Sequence, residues 1–307
     1  MFWKRRRNTG ICNCKFNQMR TIKLKTPAKV NLSLEVLKKL PNGYHQIRFV
    51  MAKISALYDE ISITFNPKKK YIVIRSSNNK IPLDEKNICF RAVKRFLEKT
   101  KKSIGVRINI KKNIPIGAGL GGGSSDGSAT LKILNQYFHY PLSKKQLMEI
   151  GSEIGKDIPS FFSPKSAAFV EGMGEKISRV FDFSNQNILL VNPKIHISTK
   201  HVYERLSPKI KKIKRKENVS LKMMLAVKKK NIDDIAKYLY NDFERVLEKE
   251  YPVIREIKNK LMNFGASGAL MTGSGSTVFG IFKNKGEVLV ARKEIKKQYP
   301  DFFVEIG

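Results

Sequence analysis

Pro115-Ile116-Gly117-Ala118-Gly119-Leu120-Gly121-Gly122-Gly123-Ser124-Ser125-Asp126 decides how this chain of 307 residues is read. Five of the seven residues at 117–123 are glycine, and glycine loses more backbone freedom on folding than any other residue. A purely structural role explains such a loop poorly. Positions without side chains let backbone N–H groups converge on a ligand, and a helix starting at the end of the loop aims its positive terminus at the same place. The flanks supply both parts. Val106, Ile108 and Ile110 alternate with Arg107, Asn109 and Lys111, which predicts a half-buried strand entering the loop. Ile133, Leu134, Tyr137 and Phe138 fall on one face of a helix leaving it. The unit reads as a phosphate cradle, with the hydroxyls of Ser124 and Ser125 at the helix start.

Gly117, Gly119 and Gly122 satisfy G-x-G-x-x-G, but a dinucleotide site also wants an acidic residue about 20 positions on. Residues 129–148 contain none. No Gly-Lys-Ser or Gly-Lys-Thr closes the loop, which excludes a Walker P-loop, and the H-R-D and D-F-G elements of protein kinases are absent.

Outward from the loop, strands and helices are intermixed. Residues 21–24 and 29–37 alternate as strands, followed by a turn at Pro41-Asn42-Gly43, and 52–57, 60–65 and 71–75 are further strand segments. Residues 87–99 place Ile88, Ala92, Val93, Phe96 and Leu97 at helical spacing. Helical patterns recur at 144–155, 220–248 and 253–264, and apolar strands at 188–191, 277–282 and 302–306. Early hairpin-like turns and the lack of regular β-α-β-α alternation predict an α+β fold.

Composition narrows the function. The 60 Lys and Arg against 26 Asp and Glu give a formal net charge of +34, which invites a nucleic-acid reading. Yet Lys outnumbers Arg three to one, 45 to 15, and phosphate-recognition surfaces favour the planar Arg fork. The lysine runs at 68–70, 209–216 and 228–230 stand beside Asn and Ile, so most read as solvated surface whose field attracts anionic small molecules. Cysteines at 12, 14 and 89 fit neither a disulfide framework nor a paired zinc spacing, which points to a reducing, cytoplasmic setting. Residues 1–20 hold no acidic residue, no Ser and no h-region, and read as a basic disordered extension with Met19 as a candidate start. The uncharged stretch 263–282 carries five Gly and five Ser or Thr, so it reads as loops and short elements rather than a membrane span.

In four places, in order, the chain resembles the GHMP family of small-molecule kinases. Residues 115–126 resemble its second signature. Pro27-Ala28-Lys29-Val30-Asn31-Leu32, with Asn42-Gly43-Tyr44-His45, resembles its first motif. Ile154-Gly155-Lys156-Asp157-Ile158-Pro159, continued by Ala168-Phe169-Val170-Glu171-Gly172-Met173-Gly174-Glu175, resembles the catalytic-Asp segment. Met271-Thr272-Gly273-Ser274-Gly275-Ser276-Thr277-Val278-Phe279 resembles the third signature. The match runs from about residue 21 to the end. One departure stands out: Gly127 and Ser128 replace the family's usual two alanines, and Gly within a helix costs about 1 kcal/mol relative to Ala.

The resemblance implies a two-domain α+β GHMP kinase fold. Residues 21–165 would be the N-terminal ATP-binding domain and 166–307 the C-terminal domain, with the active site in the cleft between them. It implies ATP and Mg²⁺ as cofactors and phosphorylation of the 2-hydroxyl of 4-diphosphocytidyl-2-C-methyl-D-erythritol in the non-mevalonate route to isoprenoids. A mevalonate- or homoserine-type kinase and a basic RNA-binding protein are the alternatives. Carried over by position, Asp157 is the catalytic base, and Lys29 pairs with it and stabilises the transferring group. ATP falls to Lys112, Pro115, Gly117, Gly119, Leu120, Gly121, Gly122, Gly123, Ser124 and Ser125, with Ser125 near the Mg²⁺. Substrate falls to Asn31, Tyr44, His45, Thr199, Tyr203, Gly273 and Ser274, with Tyr44, His45 and Tyr203 enclosing the cytosine. A monomer or homodimer without a nucleic-acid or membrane partner is expected.

By their residues alone these positions read more openly. Asp157 before Ile-Pro serves equally as a turn or helix cap. Lys29 lies on the strand face opposite Val30, Leu32 and Leu34, a face that lines a cleft or meets solvent. Gly273-Ser274-Gly275-Ser276 is also a plain tight turn, and His139, His196 and His201 carry no motif.

Overall fold

The computed structural model describes residues 18–184, 186–212 and 218–307. The expected extension at 1–20 lies outside them as far as residue 17. β1 (Arg20–Lys39) and β2 (His45–Asn66) form one long antiparallel hairpin. The sequence pattern divides each into shorter pieces; the structure joins the pieces across register shifts at Pro27/Ala28, Asn31/Ser33 and Val36/Lys38. Pro27 has no N–H to give the ladder, so a shift beside it keeps the strand continuous.

β3 (Tyr71–Ser76), α1 (Ile88–Thr100) and β4 (Gly105–Lys111) make a crossover whose strands pair in parallel, and β4 then pairs antiparallel with β2. The chain passes through the glycine loop into α2 (Gly122–Tyr137), α3 (Lys144–Ile154) and a short 3₁₀ turn at Pro159–Phe162. β5 (Ala167–Glu171) and β6 (Lys176–Phe181) return to the same sheet, β5 pairing with Phe49–Ala52 of β2, a stretch that β4 leaves uncovered. The division expected after residue 165 therefore falls before two strands of the first sheet.

The second sheet has the order β11-β7-β10-β9. The chain there runs through β7 (Asn187–Asn192), α4 (Thr199–Leu206), α5 (Val219–Lys229), α6 (Ile232–Tyr238), β8 (Tyr240–Asn241), α7 (Asp242–Leu247), α8 (Pro252–Asn263), β9 (Gly268–Met271), β10 (Val278–Phe282), α9 (Lys285–Gln298) and β11 (Phe303–Ile306), of which β8 joins the first sheet. The helical pattern over 220–248 is broken where Asn231 and Asn241 turn their side chains onto the backbone N–H groups of Asp234 and Phe243 and cap new helices. Between them β8 adds to β1 opposite Ser33 and Leu34. The two halves are thus stitched together, with Asp242 accepting from the Val36 N–H at 2.7 Å and Glu35 from the Ser220 N–H at 3.0 Å.

Under the first sheet, α1, α2 and α3 cover a core that includes the fully buried Phe65 and Phe96; such burial contributes roughly 2–3 kcal/mol per ring. Phe65 stacks on Tyr137 of α2 at 3.7 Å. Packed along most of its length, α2 holds its N-terminus fixed against β1. Among the described residues no helix is long and apolar enough to cross a membrane.

Candidate active site

Gly117, Gly119 and Gly121 sit at φ of 64°, 77° and 69°, in the left-handed region that disfavours side chains. Space forbids them as well: a Cβ on Gly119 would lie 2.2 Å from the Thr272 carbonyl oxygen, and one on Gly121 2.9 Å from Cγ of Lys29. The loop is moored to β1 by the Lys29 N–H, which donates to the Leu120 carbonyl at 2.9 Å. Gly121 is the N-cap of α2, so no side chain satisfies the first N–H groups, and no acidic residue occupies the first turn. The N–H groups of Gly122, Gly123 and Ser124 are left available at the cleft, with the positive end of a 16-residue helix behind them.

Lys29 is only 5% exposed, and its ammonium donates to Asn31 Oδ1 and, at 2.8 Å, to the Gly119 carbonyl. Burial lowers its pKa, and the charge of Asp157 pushes it back up. The expected Lys29–Asp157 pair is an attraction through space rather than a contact ion pair. Asp157 lies in the turn after α3, which is tightened by Ser160 donating to the Asp157 carbonyl through its N–H and Oγ. Gly174, at φ 115°, brings the β5–β6 turn close; a Cβ there would be 3.6 Å from Asp157 Oδ1. Burial and then the charge of Asp157 raise the pKa of the Tyr203 phenol, so the Asp157 carboxylate acts on both Tyr203 and Lys29.

Lys112 is bound quite differently. Its ammonium lies between the carboxylates of Asp59 and Asp126, at 2.9 Å from the latter. Burial alone would lower its pKa, but the two carboxylates hold it above the usual lysine value. Asp59 also accepts from the N–H groups of Asn113 and Ile114, which fixes the entry to the loop. Burial pushes Asp126 up to about 7 against the pull of Lys112. Its Oδ1 is buried and has no hydrogen-bond partner among the described residues.

These groups surround one cleft of about 630 Å³. Of the residues expected from sequence, Lys29, Asn31, Lys112, Pro115, Gly117, Gly119, Gly121, Gly122, Gly123, Ser124, Asp157, Thr199, Tyr203, Gly273 and Ser274 all line it. The two halves meet there: Thr199 and Ser274 are hydrogen-bonded hydroxyl to hydroxyl at 3.0 Å, and Asn31 N–H donates to Thr272 Oγ1 at 2.9 Å. Four expected residues stand elsewhere. Leu120 is buried. Ser125 turns its hydroxyl away from the cleft, onto Thr26 and the Pro27 carbonyl. His45 stacks directly on Tyr203 at 4.5 Å and bonds Ser207 through Nε2. Tyr44 is 52% exposed, with the Lys156 ammonium 5.3 Å from its ring centre.

Sequence reasoning missed Asp59, Asp126, His196 and Phe243. His196 lies against the loop at Gly117, where a Cβ would fall 2.5 Å from its Nδ1, and Phe243 meets Tyr203 edge to face at 5.0 Å. Neither belongs to a motif. The departure at Gly127 has a packing reason, since a Cβ there would stand 2.6 Å from Ile88 and 3.1 Å from Ile158, the neighbour of Asp157.

Comparison with known proteins agrees with this geometry. The GHMP kinases N terminal domain matches residues 87–164 and the GHMP kinases C terminal region matches 223–301. A 4-diphosphocytidyl-2-C-methyl-D-erythritol kinase of Caldicellulosiruptor bescii is 45% identical over 275 residues, covering 90% of this chain and 94% of that protein. One from Clostridium botulinum is 38% identical, covering 91% and 98%. A crystal structure of 4-(cytidine 5'-diphospho)-2C-methyl-D-erythritol kinase superposes with a TM-score of 0.74 at 26% identity, over 93% of this chain and 98% of that one. A homoserine kinase from Cytophaga hutchinsonii superposes with a TM-score of 0.75 at 18% identity, over 98% and 96%, and shares the fold alone. With a curated relative this similar along nine-tenths of its length, the chain belongs to the GHMP kinase family, in the group of the 4-diphosphocytidyl-2-C-methyl-D-erythritol kinases.

Proposed function

We propose that this chain transfers the γ-phosphoryl group of ATP to the 2-hydroxyl of 4-diphosphocytidyl-2-C-methyl-D-erythritol, in the cytoplasm and as a step of the non-mevalonate route to isoprenoid precursors. One observation carries the reading: the uncapped N-terminus of α2, the buried ammonium of Lys29 and the carboxylate of Asp157 share one cleft. The triphosphate lies along the loop, its β- and γ-oxygens accepting from the first N–H groups of α2. Asp157 accepts the proton of the acceptor hydroxyl as its oxygen bonds to the γ-phosphorus. The bond from that phosphorus to the β,γ-bridging oxygen breaks, and ADP leaves. Lys29 offsets the negative charge on the transferring oxygens. Lys112 and Asp126 stand at the base end of the nucleotide, and Tyr203 with His45 offers an aromatic face to the cytosine.

Mg²⁺ would supply further charge neutralisation at the phosphates. Among the described residues no group of three His, Cys, Asp or Glu could hold a metal ion, so the ion would arrive on the nucleotide. The hydroxyl of Ser125, already bound to Thr26 and the Pro27 carbonyl, does not fit the ion.

Coupled ADP release tests the proposal with the cytidylylated alcohol, mevalonate and homoserine as acceptors. Turnover is expected with the first alone, and Asp157→Asn is expected to lower kcat by about 10²–10⁴. Equal turnover of mevalonate or homoserine, or an unimpaired Asp157→Asn, would refute it.

A further inference from the structure

Asn241 ends β8, caps α7 and belongs to none of the four motifs. Its side chain is buried, and every polar atom on it is used. Oδ1 accepts from the Phe243 N–H at 3.0 Å, while Nδ2 donates to the carbonyls of Met271 at 2.7 Å and Gly273 at 2.9 Å. The reverse orientation of the amide would set an oxygen against two carbonyls and an NH₂ against an N–H, so the surroundings permit only this one. Glu244, three residues on, accepts from the Met271 N–H at 2.6 Å, and the Lys258 ammonium holds its other oxygen. Both backbone groups of Met271 are thus gripped by α7, just where β9 ends and the chain turns through Thr272 into Gly273.

That turn meets the residues assigned to the reaction. Thr272 Oγ1 accepts from the Asn31 N–H at 2.9 Å, beside the Asn31/Ser33 register shift, and donates at 3.4 Å to the Gly119 carbonyl, which also receives the Lys29 ammonium. A Cβ on Gly273 would stand 3.2 Å from Lys29 Nζ and 3.0 Å from the Gly119 carbonyl oxygen. Asn241 is itself paired opposite Leu34 of β1, the strand that carries Lys29 and Asn31. One residue therefore sets the turn against the strand. We propose that Asn241 is a positioning residue for phosphoryl transfer, fixing through Gly273 and Thr272 the spacing of Lys29, Asn31 and the glycine loop. It does not line the cleft, and the inference rests on the kinase reading above. The side chain has to be an amide: an aspartate of the same shape would keep the cap on Phe243 but has no N–H to give the two carbonyls.

The test is steady-state ADP release with the cytidylylated alcohol, alongside thermal melting, on the full chain and on Asn241→Asp, Thr272→Val and Asn231→Ala. Asn241→Asp is expected to lower kcat about 10–100-fold, because small misplacements of reacting groups slow the step steeply, with KM for both substrates within about threefold of wild type. Thr272→Val cuts the same connection one step nearer Lys29 and is expected to lose kcat to a similar degree, so it decides the matter where Asn241→Asp fails to fold. The double variant is expected to lose little more than the worse single one, since both interrupt one connection. Asn231→Ala removes a cap of the same kind from α6, outside the cleft walls, and should lower Tm while keeping kcat within about twofold of wild type. A kcat within about threefold of wild type in folded Asn241→Asp or in Thr272→Val overturns the proposal and leaves the kinase reading standing. So do losses that multiply in the double variant, or an equal loss in Asn231→Ala, which would trace the effect to loosened helix caps in general. A wild-type chain that releases no ADP overturns both readings together.

Discussion

Lys29 and Lys112 are both buried lysines beside the same glycine loop, and their surroundings are opposite. Lys112 is clasped by two carboxylates that more than cancel its charge. Lys29 touches only neutral oxygens of Asn31 and Gly119, and its carboxylate, Asp157, acts from beyond contact distance. A buried cation that is fully paired fixes structure, whereas one with neutral contacts keeps its charge for a ligand. The loop between them uses both: Lys112 and Asp59 anchor its entry, and Lys29, in the proposed reaction, faces the transferring group from beside Gly119.

The largest stability effect should come from the paired side. Lys112→Met leaves two carboxylates buried together without their cation, a loss on the order of 3–5 kcal/mol that should appear in calorimetry as a Tm lower by about 5–8 °C. KM for ATP should rise, while kcat in the folded fraction changes little. An unchanged Tm would show that the clasp carries no structural weight. Next, Gly119→Ala puts a Cβ against the Thr272 carbonyl at a left-handed φ, which costs about 1–3 kcal/mol. Because the same residue's carbonyl holds Lys29, a rise of roughly tenfold in KM for ATP should accompany the fall in Tm.

The smallest effect concerns a third kind of buried lysine: Lys132 donates to the Phe161 carbonyl and forms no ion pair among the described residues. Lys132 titrates near 7 in the folded chain and near 10.4 when unfolded. Between those values the unfolded state holds more protons, so folding gains stability as pH rises, and the cost of burying the charge is fully present below pH 7. Lys132→Met removes that slope. The difference in Tm between variant and wild type should fall by a few degrees from pH 6 to pH 9, and a difference that stays flat would show that Lys132 is not destabilised by burial.

The glycine loop, its flanking strand and helix, and the cleft residues within the four motifs were legible because each depends on local pattern. Residues far apart in sequence were not. Asp59 reads as one acidic residue before a strand, and nothing in its neighbourhood announces a partner at Lys112, 53 positions on. Asp126 was quoted as the end of a signature, yet its pairing depends on where β4 delivers Lys112. Long β1 and β2 were read as fragments because bulges interrupt alternation, and the 220–248 pattern hid two Asn caps. Ser125 shows a limit of carrying roles by position: its hydroxyl lies at the expected place in the chain but is already bound to Thr26 and Pro27. α9 went unread since its apolar residues Val288, Ala291 and Ile295 are diluted by charged neighbours.

The contrast between the two lysines is tested most directly at Lys29, by rapid-quench measurement of a single turnover with saturating ATP and cytidylylated substrate. Replacing Lys29 by Met removes the cation that the proposed reaction sets against the transferring phosphoryl group, without stranding a carboxylate at contact distance. The rate of phosphoryl transfer is predicted to fall on the order of 10²–10³-fold, with Tm within about 2 °C of wild type by the same reasoning on stability and melting. A rate within threefold of wild type would contradict the assignment of Lys29 to the reaction and, with it, the division of labour between the two lysines.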